Sequence, residues 1–175
     1  MKKIILSMAM VALTTSAVSA SEYFDKAQKL GVGVTSSSVV DSDADAEYGA
    51  AISGVFLKQM HIKEDCHLSL GVVVNVDINK PADDVNTLID VLPTVSLNIP
   101  NTKVNVAALG GYTYGMNGDV TSTGMTYGGS IGYDVNEGVE VTARFLRSNL
   151  TATLDGIPDF DYDNDRITVG VNYSF

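Results

Sequence analysis

The chain has 175 residues, with 21 Asp and Glu against 11 Lys and Arg and a formal net charge of −10. So acidic a balance argues against a nucleic-acid binder and against simple adhesion to anionic lipid. A single cysteine, Cys66, excludes an intramolecular disulfide and any Cys₂ or Cys₄ metal site, and the length holds one domain and hardly two.

Lys2 and Lys3 precede an apolar run at 4–13, and Val18-Ser19-Ala20 offers the small residues that a signal peptidase accepts. Residues 1–20 are therefore expected to be a signal peptide, cleaved before Ser21. A membrane anchor would need about 20 apolar residues, roughly twice this run. Ser rather than Cys at position 21 gives no support to lipoprotein export. Residues 21–28 are then a short periplasmic segment and 29–175 the folded domain.

Eight alternating segments follow, at 29–35, 47–60, 66–76, 87–99, 103–116, 124–135, 139–152 and 166–175. Leu68, Leu70, Val72, Val74 and Val76 are apolar at every second place, as are Val91, Val95, Leu97 and Ile99 and then Val104, Val106, Ala108, Tyr112 and Tyr114. Strict period two is the mark of a strand with two different surroundings. A barrel in lipid needs it, because the outer face meets hydrocarbon and the interior can be polar. The first segment is short and Gly-rich, and Gly54-Val55-Phe56-Leu57 breaks phase, which predicts a bulge there. The fold class expected is an all-β, eight-stranded antiparallel up-and-down transmembrane β-barrel.

Tight links at Pro100-Asn101-Thr102 and Asn136-Glu137-Gly138 alternate with longer polar stretches at 77–86, 117–123 and 153–165. Short turns at one end and long loops at the other fit an outer-membrane barrel. The even strand count puts both termini, and the link at 61–65, on the periplasmic side, and 36–46 becomes the first outer loop. Asp41, Asp43, Asp45, Glu47, Asp77, Asp83, Asp84, Asp119, Asp155, Asp159, Asp161, Asp163 and Asp165 then gather at the outer end, and Lys26, Lys29, Lys58, Lys63 and Lys103 at the other. Such acids either solvate loops or hold divalent cations among lipopolysaccharide phosphates. The run 159–166 superficially suggests a calcium loop, but it lacks Gly at the sixth place and Glu at the twelfth, where Gly170 falls, so no metal site is expected.

Tyr48, Tyr112, Tyr114 and Tyr127 toward the outer ends, with Tyr133, Tyr173 and Phe175 toward the inner, read as interfacial girdles. Arg147, in phase with Val141 and Phe145, would reach the outer rim, to meet a lipid phosphate or water. If Val135 faces Val139 across Asn136-Glu137-Gly138, paired positions sum to 274. That register places Phe145 over Gly129 and Asp134 opposite Glu140 in the lumen, an unfavourable pair unless a cation or a shared proton intervenes. Arg144 is roughly 13 Å up the same face. Its partner should come from another strand, with Asp90 a candidate; the alternative is that Arg166 reaches down to the two acids. Asp134, Glu140, Arg144 and Arg166 are thus the expected polar network of the lumen.

Catalytic constellations are sparse. His61 and His67 flank a periplasmic turn, far from the rim where a lipid-modifying enzyme would need His beside Ser or an acid, so no catalytic residue and no cofactor is assigned. Asn149-Leu150-Thr151 matches a glycosylation sequon to which no role attaches. The small lumen residues Gly71, Gly111, Gly128, Ser130, Gly132 and Gly170 motivate a narrow porin-like channel as the alternative to a structural or surface-interaction barrel. A soluble lipocalin-like binder is disfavoured by the outward apolar face.

The chain ends on an unbroken stripe, Ile167, Val169, Val171, Tyr173 and Phe175. The ending "VGVNYSF" resembles the C-terminal assembly signal of bacterial outer-membrane barrels, with Gly170, Tyr173 and Phe175 its residues here. As a whole, 29–175 is similar to the small eight-stranded outer-membrane barrels of the opacity, OmpX and OmpA-transmembrane type. The resemblance implies a monomeric, surface-exposed integral barrel that contacts outer-membrane lipid and lipopolysaccharide and meets the barrel assembly machinery during biogenesis. It also implies a role in envelope integrity, adhesion or contact with host and environment, with an extracellular ligand unidentified. Fold analogy alone does not fix that role.

Overall fold

The computed structural model describes residues 28–40, 45–63, 66–79, 85–154 and 156–175, with the side chains of 60–63 and 66 excepted. The expected signal peptide, the segment 21–27, the acids Asp41, Asp43, Asp83, Asp84 and Asp155, and the side chains of His61 and Cys66 lie outside the described residues. The elements are β1 (Gln28–Val39), β2 (Glu47–Lys63), β3 (Cys66–Asn79), β4 (Asn86–Asn98), β5 (Val104–Asn117), β6 (Val120–Asn136), β7 (Val139–Leu154) and β8 (Ile157–Ser174). They form one closed ring in chain order. Every pair is antiparallel, and β1 closes on β8 from Lys29 opposite Ser174 to Val39 opposite Asn164.

Alternation is what makes these segments strands. The even residues of β1 and the odd residues of β8 face outward, so that Val32, Val34 and Ile167 are 63%, 69% and 55% exposed. An unbroken apolar girdle of this kind is untenable in water but matches hydrocarbon. The opposite parity faces inward, and there lies the packed core: Val55, Leu57, Val73, Leu92, Leu109 and Leu146 form one cluster inside the ring.

That cluster explains the phase break in β2. Val55 and Leu57 are inward residues that happen to be apolar, while Ile52 and Phe56 point out. The register with β3 runs unbroken from Gly49 opposite Asn79 to His61 opposite His67, and the irregularity falls between His61 and Lys63. No bulge occurs at Gly54-Val55-Phe56-Leu57.

Two expected loops are strands instead. β5 and β6 pair up to Asn117 opposite Val120, leaving Gly118 and Asp119 as the turn, and β7 and β8 pair up to Leu154 opposite Ile157. Gly118 and Gly156 supply the positive φ, 60° and 83°, that such tight turns need. Water on both faces removes the apolar alternation from 157–161, so the pattern there does not announce a strand. β1 likewise continues past residue 35, to Val39. The β6–β7 hairpin keeps the sum of 274 from Asp134 opposite Glu140 and Gly129 opposite Phe145 upward, but Val139 stands opposite Asn136, not Val135. The extra residue is absorbed at the turn, where the Gly138 amide donates to Asn136 Oδ1 at 2.9 Å.

Candidate functional site: a plugged lumen

Inside the barrel three levels succeed one another. The apolar cluster sits about midway. Gly71, Gly111 and Gly128 are inward-facing as expected, yet they do not open the lumen. A Cβ on Gly71 would strike the carbonyl of Phe56 on β2, and one on Gly128 the carbonyl of Phe145 on β7. The neighbouring backbone takes the place of the side chain, and Leu92, Leu109 and Leu146 fill the space beyond.

Toward the end away from the termini lies a polar plug centred on Arg166 of β8. Its guanidinium donates to Asp77 on β3 at 2.7 Å, to both oxygens of Asp90 on β4 at 2.9 and 2.8 Å, and to Ser148 Oγ on β7 at 2.9 Å. Asp90 also accepts from Thr113 Oγ1 at 2.5 Å and from Asn75 at 3.1 Å. Thr113 is bonded to Thr126 on β6, and Thr126 to Ser148 at 2.6 Å. Ser37 of β1, opposite Arg166, and Ala51 of β2, opposite Asp77, complete the circuit of eight strands. Arg166, Asp77, Asp90, Asn75, Thr113 and Ser148 are all 0% exposed. Ions so buried are tenable only when paired and hydrogen-bonded, and the planar fork of Arg suits two carboxylates at once.

Toward the termini a chamber of about 650 Å³ reaches from Arg144 and the apolar cluster to the Asn136-Glu137-Gly138 turn. Its best-satisfied charge is Glu140, which accepts from Lys29 Nζ and Asn105 at 2.6 Å, from Asn172 at 2.7 Å and from Thr142 at 2.8 Å.

The four residues singled out by sequence are therefore divided between two levels. Asp134 and Glu140 are cross-strand neighbours at the chamber. The cation that meets Glu140 is Lys29 of β1, an inward residue and not a rim lysine. Arg166 does not reach down to these acids. Asp90 belongs to Arg166 rather than Arg144, which donates from Nη1 to Asn75 Oδ1 at 3.3 Å. Asp77, placed by sequence among the loop acids, is a fully buried partner of the plug. Its phase could have revealed it, since it continues the inward series of Val73 and Asn75. Which distant strand would meet it could not be read, because parity gives a side chain's face and not its height.

At the far rim Arg147 forms a bidentate pair with Asp165, directly opposite on β8, both bonds 2.6 Å. Asn149 and Thr151 likewise hold Asp163 and Asp161, at 2.6 and 2.7 Å. The stretch 159–166 is a strand, and its acids Asp161, Asp163 and Asp165 are met by cross-strand partners, so it is not a calcium loop. Among the described residues no group of three or more His, Cys, Asp or Glu is placed to hold a metal. His67 stands opposite His61 near the termini end.

With this geometry in hand, residues 5–175 match the family described as outer membrane protein beta-barrel domain. No curated protein sequence matches the chain. Among solved structures it resembles the attachment invasion locus protein Ail of Yersinia pestis (TM-score 0.55, 13% identity, covering 87% of this chain and 100% of that one). It also resembles Neisserial surface protein A (0.52, 12%, 85% and 96%). A third likeness is to the N-terminal beta-barrel domain of Pseudomonas aeruginosa OprF (0.52, 11%, 86% and 100%). At these identities the likeness is one of fold.

Proposed function

The chain belongs to the outer membrane protein beta-barrel domain family, and from that premise we propose that it is a non-conducting barrel acting through its surface. Its role lies in envelope integrity or in contact with molecules outside the cell, and the reading assigns it no reaction. In this reading both termini face the periplasm, and the β5–β6 and β7–β8 hairpins stand outside the cell. Gly170, Tyr173 and Phe175 serve as the signal read by the barrel assembly machinery, and the mature barrel is a monomer among lipid and lipopolysaccharide.

The observation that carries the reading is the plug. Side chains from β3, β4, β5, β6, β7 and β8 are hydrogen-bonded together at one level, and the charged ones among them have no exposure to water. An eight-stranded barrel is just wide enough for its own side chains to fill. Ail has been solved with the heparin analogue sucrose octasulfate. The β7–β8 hairpin here presents Asp159, Asp161 and Asp163, so a polyanion is repelled and a neutral or basic partner fits.

A narrow channel is the second reading, favoured by the chamber of about 650 Å³ that already occupies one half of the lumen. Planar-bilayer recording of the purified barrel separates the two. The expected result is no steady conductance above the lipid background; a sustained ohmic current would establish the channel.

A further inference from the structure

Arg144 closes the inner end of the chamber and is 6% exposed. Among the described residues its only hydrogen bond is the 3.3 Å contact to Asn75, and its Nε has no acceptor there. An unmet buried donor on a charged group is costly, so this guanidinium is poised for an acceptor that the wall does not supply. The charges at its own level already balance, Arg144 and Arg166 against Asp77 and Asp90. A bare anion bound to Arg144 would leave one negative charge in excess in a water-poor interior.

At the other end of the chamber the Asp134 carboxylate accepts no hydrogen bond from a described residue. Its neighbour Glu140 is met by Lys29, and Lys103 on the rim turns its Nζ to the Val135 carbonyl at 3.4 Å. A molecule carrying an anionic group to Arg144 and a cationic group to Asp134 gives both ends a partner and adds no net charge to the lumen. Arg144 stands opposite Ser130, and Asp134 four residues further along β6, about 13 Å at strand rise before side-chain reach is subtracted. Extended peptide covers roughly 3.5 Å per residue, which leaves room for two or three residues. The volume, about 650 Å³, is of the size usual for small-molecule sites.

We propose that this chamber binds a short zwitterionic peptide, a di- or tripeptide, with its terminal carboxylate on Arg144 and its terminal ammonium at Asp134. The test is an NMR titration of the barrel in detergent micelles with triglycine, N-acetyl-triglycine, triglycine amide and inorganic phosphate. Saturable binding of triglycine is expected, with shifts at Arg144 and Asp134. Each capped peptide and phosphate should bind at least tenfold more weakly, and Arg144→Gln and Asp134→Asn should each weaken triglycine by a similar factor. Should Arg144→Gln fail to fold, Asp134→Asn at the half-buried mouth and the capped ligands decide. Absence of saturable binding, phosphate or the acetylated peptide binding as tightly as triglycine, or undiminished affinity in either folded variant would each overturn the proposal.

Discussion

Arg166 concentrates the electrostatics of the lumen in one side chain. Removing one partner from a buried ion group leaves the others unpaired, at a cost of about 3–5 kcal/mol. Arg166→Met is therefore expected to destabilise the barrel by that amount in urea or thermal unfolding followed in micelles. Much of the loss should disappear in an Asp77→Asn/Asp90→Asn background and none of it in a Glu140→Gln background. Equal losses in all three backgrounds would show that the three groups do not act as a unit. Arg147, although bidentate to Asp165, stands at the solvated rim, where ion pairs contribute little. Arg147→Ala should barely move the unfolding midpoint.

At the scale of the strands, inward and outward glycines differ in kind. A Cβ on Gly128 would collide with the Phe145 carbonyl, whereas one on Gly110, facing outward, meets nothing nearer than the Thr126 carbonyl at 3.9 Å. Gly128→Ala should cost about 1–3 kcal/mol through overpacking and Gly110→Ala less than about 0.5 kcal/mol, both read from the same unfolding curves. A comparable loss at the two sites would remove the close-approach explanation. The eight strands were legible because hydrocarbon outside and polar groups inside impose opposite chemistry on alternate residues. Legibility failed where that contrast is absent: at 157–161, wet on both faces, and at Val55 and Leu57, where the lumen is itself apolar. The opposition of Asp134 and Glu140 could be read because the link between β6 and β7 is short, and the irregularity at Asn136 leaves the pairs beyond it summing to 274. The meeting of Arg166 with Asp77 and Asp90 could not, because it depends on small register offsets summed round the ring.

For the whole molecule, the orientation proposed above has a direct check. An epitope inserted at Asp119 should be tolerated and labelled on intact cells, and one inserted at Glu137 should stay hidden until the cells are opened. Labelling of the second from outside would invert the topology. Assembly is tested at the last residue: Phe175 is 68% exposed, with its amide on the Gln28 carbonyl at 3.4 Å, so its loss removes little packing. Deleting it should nonetheless lower the yield of the folded form, seen as the band whose gel mobility changes on boiling, while export is unaffected. Unchanged yield would remove Phe175 from the proposed signal.

The plug also bears on how the ring closes. Arg166 lies 89 and 76 residues from Asp77 and Asp90 along the chain, and it sits on the last strand to be made. It works as a spoke thrown across the hoop, tying the closing strand to the opposite wall as well as to its two neighbours. Contacts of such sequence separation form late, because the chain between them must be ordered first. Until β8 arrives, the two carboxylates of β3 and β4 have Arg144 of β7 but not Arg166 to answer them, and an open half-barrel is penalised twice, by its bare edges and by an acid still in excess. Closure and charge neutralisation are therefore one event, which leaves the barrel little middle ground between unassembled and complete.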